Sequence, residues 1–190
     1  MDAGMARGMA PGGRMDARLM TVPPVLAKGP PAAVLVPVIL RSEPTLLFTR
    51  RSPSLSRHPG QISFPGGMAE PDDASLTATA LRETAEETGI TADFVSVAGF
   101  LAAATTGTGY AILPVVGLVR EGFSLKPEAD EVAEIFELPL AFFLDPQSRS
   151  TVEREWQGQV RRFPAYCREG REIWGATADI VADLAQRLAP

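Results

Sequence analysis

Histidine and cysteine are nearly absent from this sequence: 190 residues contain one of each, His58 and Cys167. One cysteine closes no disulfide within the chain, and the two residues together cannot build a Cys/His zinc cluster. A metal ion would have to rest on oxygen ligands. Excess positive charge is also missing, since 18 Lys and Arg stand against 23 Asp and Glu for a formal net charge of -5. General binders of nucleic acid or anionic membrane need the opposite balance, because Lys and Arg must neutralise phosphates. Neither partner is expected. No apolar run approaches the roughly 20 residues of a membrane span, and the start lacks the apolar centre of a secretory signal. A cytoplasmic protein is the expectation.

What is present points to one domain: hydrophobic residues make up 45% and charged residues 22%, enough for a sizeable core. Residues 1–31 are rich in Gly, Pro, Met, Ala and Arg without apolar periodicity and are expected to form a mobile N-terminal tail. Residues 32–190 form the expected domain. The runs AVLVPVILR, TLLFTRR and QISF are short and rich in strand formers. Pro37 suggests an edge strand or bulge in the first, and Pro114 raises the same question in YAILPVVGLV. FVSVAGFLAA and VAEIFELPL read as further strands, and TVEREWQGQVRRFPAY with REIWG reads as a polar hairpin region. One helix is predicted at about 74–88 and another at about 177–188. This order implies an α+β fold, an α/β/α sandwich with a mixed β-sheet between helices.

The first helix carries the chemistry. Asp72 and Asp73 stand where an N-cap and first turn favour carboxylates, and Gly89 stands where a C-terminal cap favours a left-handed residue. At 100° per residue Ala78, Leu81 and Ala85 share one face, predicted to dock, while Glu83, Glu86 and Glu87 share the opposite one, predicted to face outward. Each like-charge pair among those glutamates costs an isolated helix about 0.2–0.5 kcal/mol. A hard divalent ion reverses that sign, because Mg2+ favours carboxylate, carbonyl and water oxygens and bridges to phosphates. An acidic solvated face, with Arg82 pairing to Glu86, is the ordinary alternative. Context favours the metal: FPGGMAEPDD lies just upstream, and Gly66 and Gly67 permit close backbone approach.

The combination of this glycine loop with Arg82-Glu83-Thr84-Ala85-Glu86-Glu87-Thr88-Gly89 resembles the Nudix box, with Thr84 at a usually apolar position. Asp73 stands where that family has Glu, and Arg82 falls one residue late, so the box is one residue longer. The segment from Leu46 to Gly67, LLFTRRSPSLSRHPGQISFPGG, is similar to the coenzyme A pyrophosphatase branch of the family. The resemblance implies a Nudix fold and divalent-metal-dependent hydrolysis of coenzyme A to 4'-phosphopantetheine and 3',5'-ADP. It implies Mg2+ or Mn2+ on Glu83, Glu86, Glu87 and the Gly67 carbonyl, with Glu83 or Glu131 as general base. Asp73 or Glu70 is expected to orient Arg82, which is grouped with the catalytic residues. Arg50, Arg51, Arg57, His58, Gly66 and Gly67 are the expected substrate-binding residues. Trp156, Trp174 and Tyr110 are candidates to stack on adenine or line a pantetheine groove, and the loop 107–110 is a candidate lid. Other nucleoside diphosphate derivatives, namely ADP-ribose, dinucleoside polyphosphates and damaged nucleotides, are the alternative substrates, and a non-catalytic ligand sensor is the alternative class. The partner is a small molecule, and a homodimer is allowed.

Overall fold

The structure, a computed structural model, describes residues 31–105, 111–156 and 158–189. Its centre is a mixed sheet built around two strands, β1 (Ala32–Ile39) and β7 (Ala111–Val119), which run parallel from Ala32↔Ile112 to Ile39↔Val119. β2 (Thr45–Arg51) joins β1 antiparallel, and β8 (Val132–Pro139) lies on the far side of β2. β5 (Val95–Phe100) and the short β6 (Ala104–Thr105) line the outer side of β7. Between the diverging ends of β1 and β2 sits a wedge made of β3 (Ile62–Ser63), which pairs with β2, and β4 (Gly66–Met68), which pairs with β1. A second, three-stranded sheet holds β9 (Arg149–Trp156), β10 (Gln159–Arg168) and β11 (Arg171–Trp174) in antiparallel order.

Among the described residues three α-helices cover the main sheet, and the expected sandwich is what forms. α1 (Leu76–Thr88) lies on one face, where Leu76, Ala80 and Leu81 meet Ala33, Leu35, Leu113 and Val115. α2 (Leu140–Leu144) and α3 (Ala176–Leu188) cover the other, where Phe143, Ile180, Val181 and Leu184 pack with Val36, Val38, Leu46 and Phe48. β1 is buried on both faces, which is why it reads as an unbroken apolar run rather than an alternating one. Phe48 anchors the second core, its ring 4.8 Å from Phe64 and 5.7 Å from Phe136. Among the described residues no helix is long and apolar enough to cross a membrane.

Several expectations need correction. Pro37 lies in a central strand, not at an edge. Strand alternation explains how it is tolerated: the Leu35 amide points at Pro65 O, 2.9 Å away, so position 37 faces the same side, where β4 has ended and β2 pairing begins at Val38. The missing N–H falls in a gap between partners. Pro114 occupies the equivalent gap between β6 and β5, and its carbonyl accepts from Leu101 N at 3.1 Å. The N-cap of α1 is Ser75, whose side chain accepts from Ala78 N; neither Asp72 nor Asp73 caps it. Gly89 does close the helix, at φ 79, with its N–H on Ala85 O.

The buried stripe of α1 is Thr79, Ala80, Thr84, Glu87 and Thr88, rotated from the predicted Ala78/Leu81/Ala85 face. Glu87 therefore points inward, not outward with Glu86. Thr84 and Thr88 are accommodated because each hydroxyl donates to the carbonyl four residues back, Ala80 O and Thr84 O, both at 2.6 Å. With its hydroxyl satisfied locally, Thr84 presents the rest of its side chain as an apolar surface. Most of residues 1–31 lie outside the described residues; Pro31 does belong, its carbonyl accepting from Ala69 N at 3.0 Å. The loop 107–110, including Tyr110, and the side chain of Trp156 lie outside the described residues.

Candidate active site

Glu83, Glu86 and Glu87 of α1 line one cleft of about 260 Å3 with Glu128 and Glu131. The last two arrive on the segment between β7 and β8, which is stitched to the open end of α1. Lys126 N donates to Thr88 O at 2.8 Å and Glu128 N to Glu87 O at 3.3 Å, so helix carbonyls without intrahelical partners find them in this loop. Gly89 leaves room for the stitch, since a Cβ there would stand 3.1 Å from Lys126 N. Ser52 N then donates to Glu131 O at 2.7 Å, tying the end of β2 to the same wall. Glu131 was anticipated; Glu128 was not. The only sequence signal for it is three carboxylates in four positions, Glu128, Asp130 and Glu131.

The wedge strand brings the glycine pair against α1. A Cβ on Gly67 would lie 2.5 Å from Glu83 Cδ and Oε1, so only glycine lets β4 approach this carboxylate. Gly66, at φ 153, sits so close to β1 that a Cβ would be 2.3 Å from Ala33 O.

Arg82 organises the acidic group. Its Nε donates to Asp73 Oδ1 and its Nη2 to Asp73 Oδ2, both at 3.0 Å, a two-pronged pair of fixed orientation. Its Nη1 reaches Glu83 and Glu86, each at 3.0 Å. Asp73 accepts further bonds from Glu70 N and the Thr79 hydroxyl, each at 2.9 Å. The bonds from Arg82 come first in holding the Asp73 carboxyl far below the usual carboxylate range. Of the two residues expected to orient Arg82, Asp73 makes the close contact and Glu70 stands 3.9 Å off. Asp73 does so despite the longer box.

Glu87 is the electrostatically unusual member. Burial, then the Glu83 charge, push its carboxyl up to about 8, while Arg51 and the Gly66 amide pull the other way. Among the described residues its buried Oε2 has no hydrogen-bond partner, a state that costs roughly 1–3 kcal/mol or more. Glu83 is raised too, first by burial and against the pull of Arg82. Among the described residues no three His, Cys, Asp or Glu side chains already stand in ligating positions, with Glu83 and Glu86 drawn to Arg82. The chemistry of the donor set nevertheless fits a hard divalent cation: only oxygens, mutually repelling carboxylates, and one buried oxygen aimed at no donor.

The remaining candidates divide. Arg51 lies near enough to Glu87 to influence it, and its Nε donates to Arg57 O at 3.4 Å. Arg50, next in the strand and so on the opposite face, pairs with Glu134 at 3.0 Å, which also holds Arg171. Arg50 is not brought to the acidic cleft. His58, at φ 53, lines a separate cleft with Gln61, Arg154 and Trp174.

A model of the NUDIX domain family matches residues 29–156, about two thirds of the chain. The chain belongs to the Nudix family. Its relatives include a Photorhabdus laumondii protein described as an uncharacterized Nudix hydrolase NudL, 46% identical over 157 residues, 83% of this chain and 84% of that one. A Yersinia pestis protein of the same description is 44% identical over 158 residues, 83% of this chain and 79% of the relative. Among solved structures, a MutT/nudix family protein from Enterococcus faecalis superposes with a TM-score of 0.55 at 16% identity, over 87% of this chain and 64% of that one. At that identity the likeness speaks for the Nudix fold. Family membership makes the chain a Nudix hydrolase of phosphoanhydrides, and Nudix hydrolases generally use divalent ions such as Mg2+ or Mn2+.

Proposed function

We propose that this Nudix hydrolase cleaves coenzyme A at its diphosphate linkage, giving 4'-phosphopantetheine and 3',5'-ADP, with Mg2+ or Mn2+ as cofactor. The observation that carries the hydrolytic reading is the buried, unpartnered Oε2 of Glu87 inside a cleft of five glutamates. The narrowing to coenzyme A rests on the segment from Leu46 to Gly67, which supplies β2, the 52–61 loop and the wedge bordering that cleft.

Glu83, Glu86 and Glu87, with the Gly67 carbonyl, are the proposed cation ligands. A bound divalent ion would neutralise the diphosphate and acidify water. The chain's own groups do the rest. Arg82, fixed by Asp73, orients Glu83 and Glu86. Arg51 and Arg57 hold phosphate oxygens, whereas Arg50 is committed to Glu134. Glu131 is the better placed base, because Glu83 already serves Arg82 and the cation. It takes a proton from water as the water oxygen bonds to one phosphorus and the bridging oxygen leaves with the other.

Purified protein with Mg2+ should release 4'-phosphopantetheine and 3',5'-ADP from coenzyme A faster than it cleaves ADP-ribose, dinucleoside polyphosphates or oxidised nucleotides. Preference for one of those others removes the coenzyme A assignment while leaving the hydrolase. A silent panel, with binding retained, would point to a ligand sensor.

A further inference from the structure

The cleft lined by His58, Gly60, Gln61, Arg154 and Trp174, about 360 Å3, has no part in the chemistry above. Its lining is opposite in character to that of the glutamate cleft: an arginine, a histidine, an amide and an indole, with no carboxylate among the described residues that form it. Two sheets build it. The loop after β2 gives His58, Gly60 and Gln61, and the β9–β11 sheet gives Arg154 and Trp174. Trp174 lies beyond the stretch matched by the family model, which ends at residue 156.

The loop is held firmly. Arg51 N donates to Gln61 O at 2.9 Å and Gly60 N to Arg51 O at 3.2 Å, closing it at its base. His58 keeps a left-handed backbone, φ 53, a conformation uncommon outside glycine. The indole of Trp174 packs at a tilt against Phe163, ring centroids 5.6 Å apart, and has the Arg154 guanidinium 5.4 Å from its centroid. Arg154 also meets Glu172 and the Glu153 carbonyl, contacts that use only part of its five N–H donors. Gln61 borders the start of α3, whose N-cap Gly175 offers no side chain to the first amides. That helix end adds a partial positive charge.

We propose that this cleft binds a nucleoside carrying a terminal phosphate monoester, the base against Trp174 and the phosphate on Arg154 and His58. The same 52–61 loop meets the glutamate wall through Ser52 N and Glu131 O. In the proposed placement one ligand lays its diphosphate among the glutamates and a remote phosphate in the cationic cleft. In the proposed function, on which this placement rests, that remote group is the 3'-phosphate of coenzyme A.

The test uses full-length protein with Trp156→Phe, which leaves Trp174 as the sole indole. Titration with 3',5'-ADP should change its fluorescence, and adenosine, which has the base but no phosphate, should bind at least about tenfold more weakly, the scale of one charge-assisted hydrogen bond. Arg154→Gln, at a half-buried position, should raise KM for coenzyme A about tenfold, raise it far less for dephospho-coenzyme A, and leave kcat for coenzyme A little changed. Equal binding of 3',5'-ADP and adenosine, or equal KM effects on the two substrates, overturns the assignment. If coenzyme A resists cleavage but 3',5'-ADP still reports at Trp174, the proposed function fails and the cleft stands. If coenzyme A is cleaved and Trp174 is silent to 3',5'-ADP, the cleft assignment fails alone.

Discussion

Gly67→Ala separates catalysis from folding more cleanly than removal of any glutamate. The new Cβ would stand 2.5 Å from Glu83 Cδ and Oε1 and 2.7 Å from Oε2, where carbon contacts ordinarily begin near 3.5 Å. The carboxylate must retreat by about 1 Å. Backbone strain does not arise, since Gly67 is not among the residues of positive φ, and the clash is with the end of a side chain. Stability should move by less than about 1 kcal/mol, with a Tm change within roughly 2–4 °C, helped by the lower entropy of alanine in the unfolded chain. Activity should suffer far more, because a 1 Å misplacement of a positioned group can cost about 100-fold, or about 2.7 kcal/mol of barrier. The assay is kcat/KM across a Mg2+ titration beside calorimetric Tm. Activity within about threefold of the parent at normal Tm would refute the placement of Glu83 against Gly67. A Tm collapse of more than about 10 °C would refute the claim that the clash is local.

Gly66→Ala should behave in the opposite way: its Cβ meets the β1 backbone at 2.3 Å, so thermal melting should show a loss near 3 kcal/mol. Asp73→Asn weakens the pair that fixes Arg82, and metal affinity or turnover should fall about 10–100-fold with the fold intact, as metal titration and circular dichroism would show. The pH dependence follows from Glu87. Its folded carboxyl titrates near 8, above the ordinary 4.5, so the metal-free fold holds a proton that the unfolded chain has lost, and stability falls as pH rises between those values. Divalent ions compete with that proton. The Mg2+-induced rise in Tm should grow from pH 6 to about 8 and then level, and calorimetry at pH 7 in buffers of different ionisation enthalpy should detect proton release. Glu131→Gln should lower kcat with little change in Mg2+ affinity, while Glu87→Gln should weaken Mg2+ binding. The reverse pattern would exchange their roles.

Features encoded over a few residues were legible in the sequence, and features set by distant contacts were not. Gly89 could be read as a cap because the left-handed turn and its bond to Ala85 O are local. Asp73 looks like a cap by the same rules, yet its carboxylate is taken by Arg82, nine residues on, and Ser75 caps instead. A helical wheel places Glu87 with Glu83 and Glu86 but has no knowledge of the 124–131 segment bonded to the end of α1, or of Arg51 and the Gly66 amide beside the buried Glu87 carboxyl. Glu128 escaped for the same reason: a backbone bond to Glu87 O holds its segment in place. Pro37 suggests an edge only if each strand has one partner per side, whereas β1 changes partner there. The pairing of Arg50 with Glu134 depends on register between β2 and β8, which no short motif records.

Hydrolysis of coenzyme A in 18O-labelled water, with products read by mass spectrometry, tests the central claim most directly. Mg2+-dependent formation of 4'-phosphopantetheine and 3',5'-ADP is expected, one of them carrying a single 18O atom, with loss of both products in Glu83→Gln and Glu87→Gln proteins that remain folded. Coenzyme A recovered intact and unlabelled, or cleavage that survives both substitutions, would contradict it.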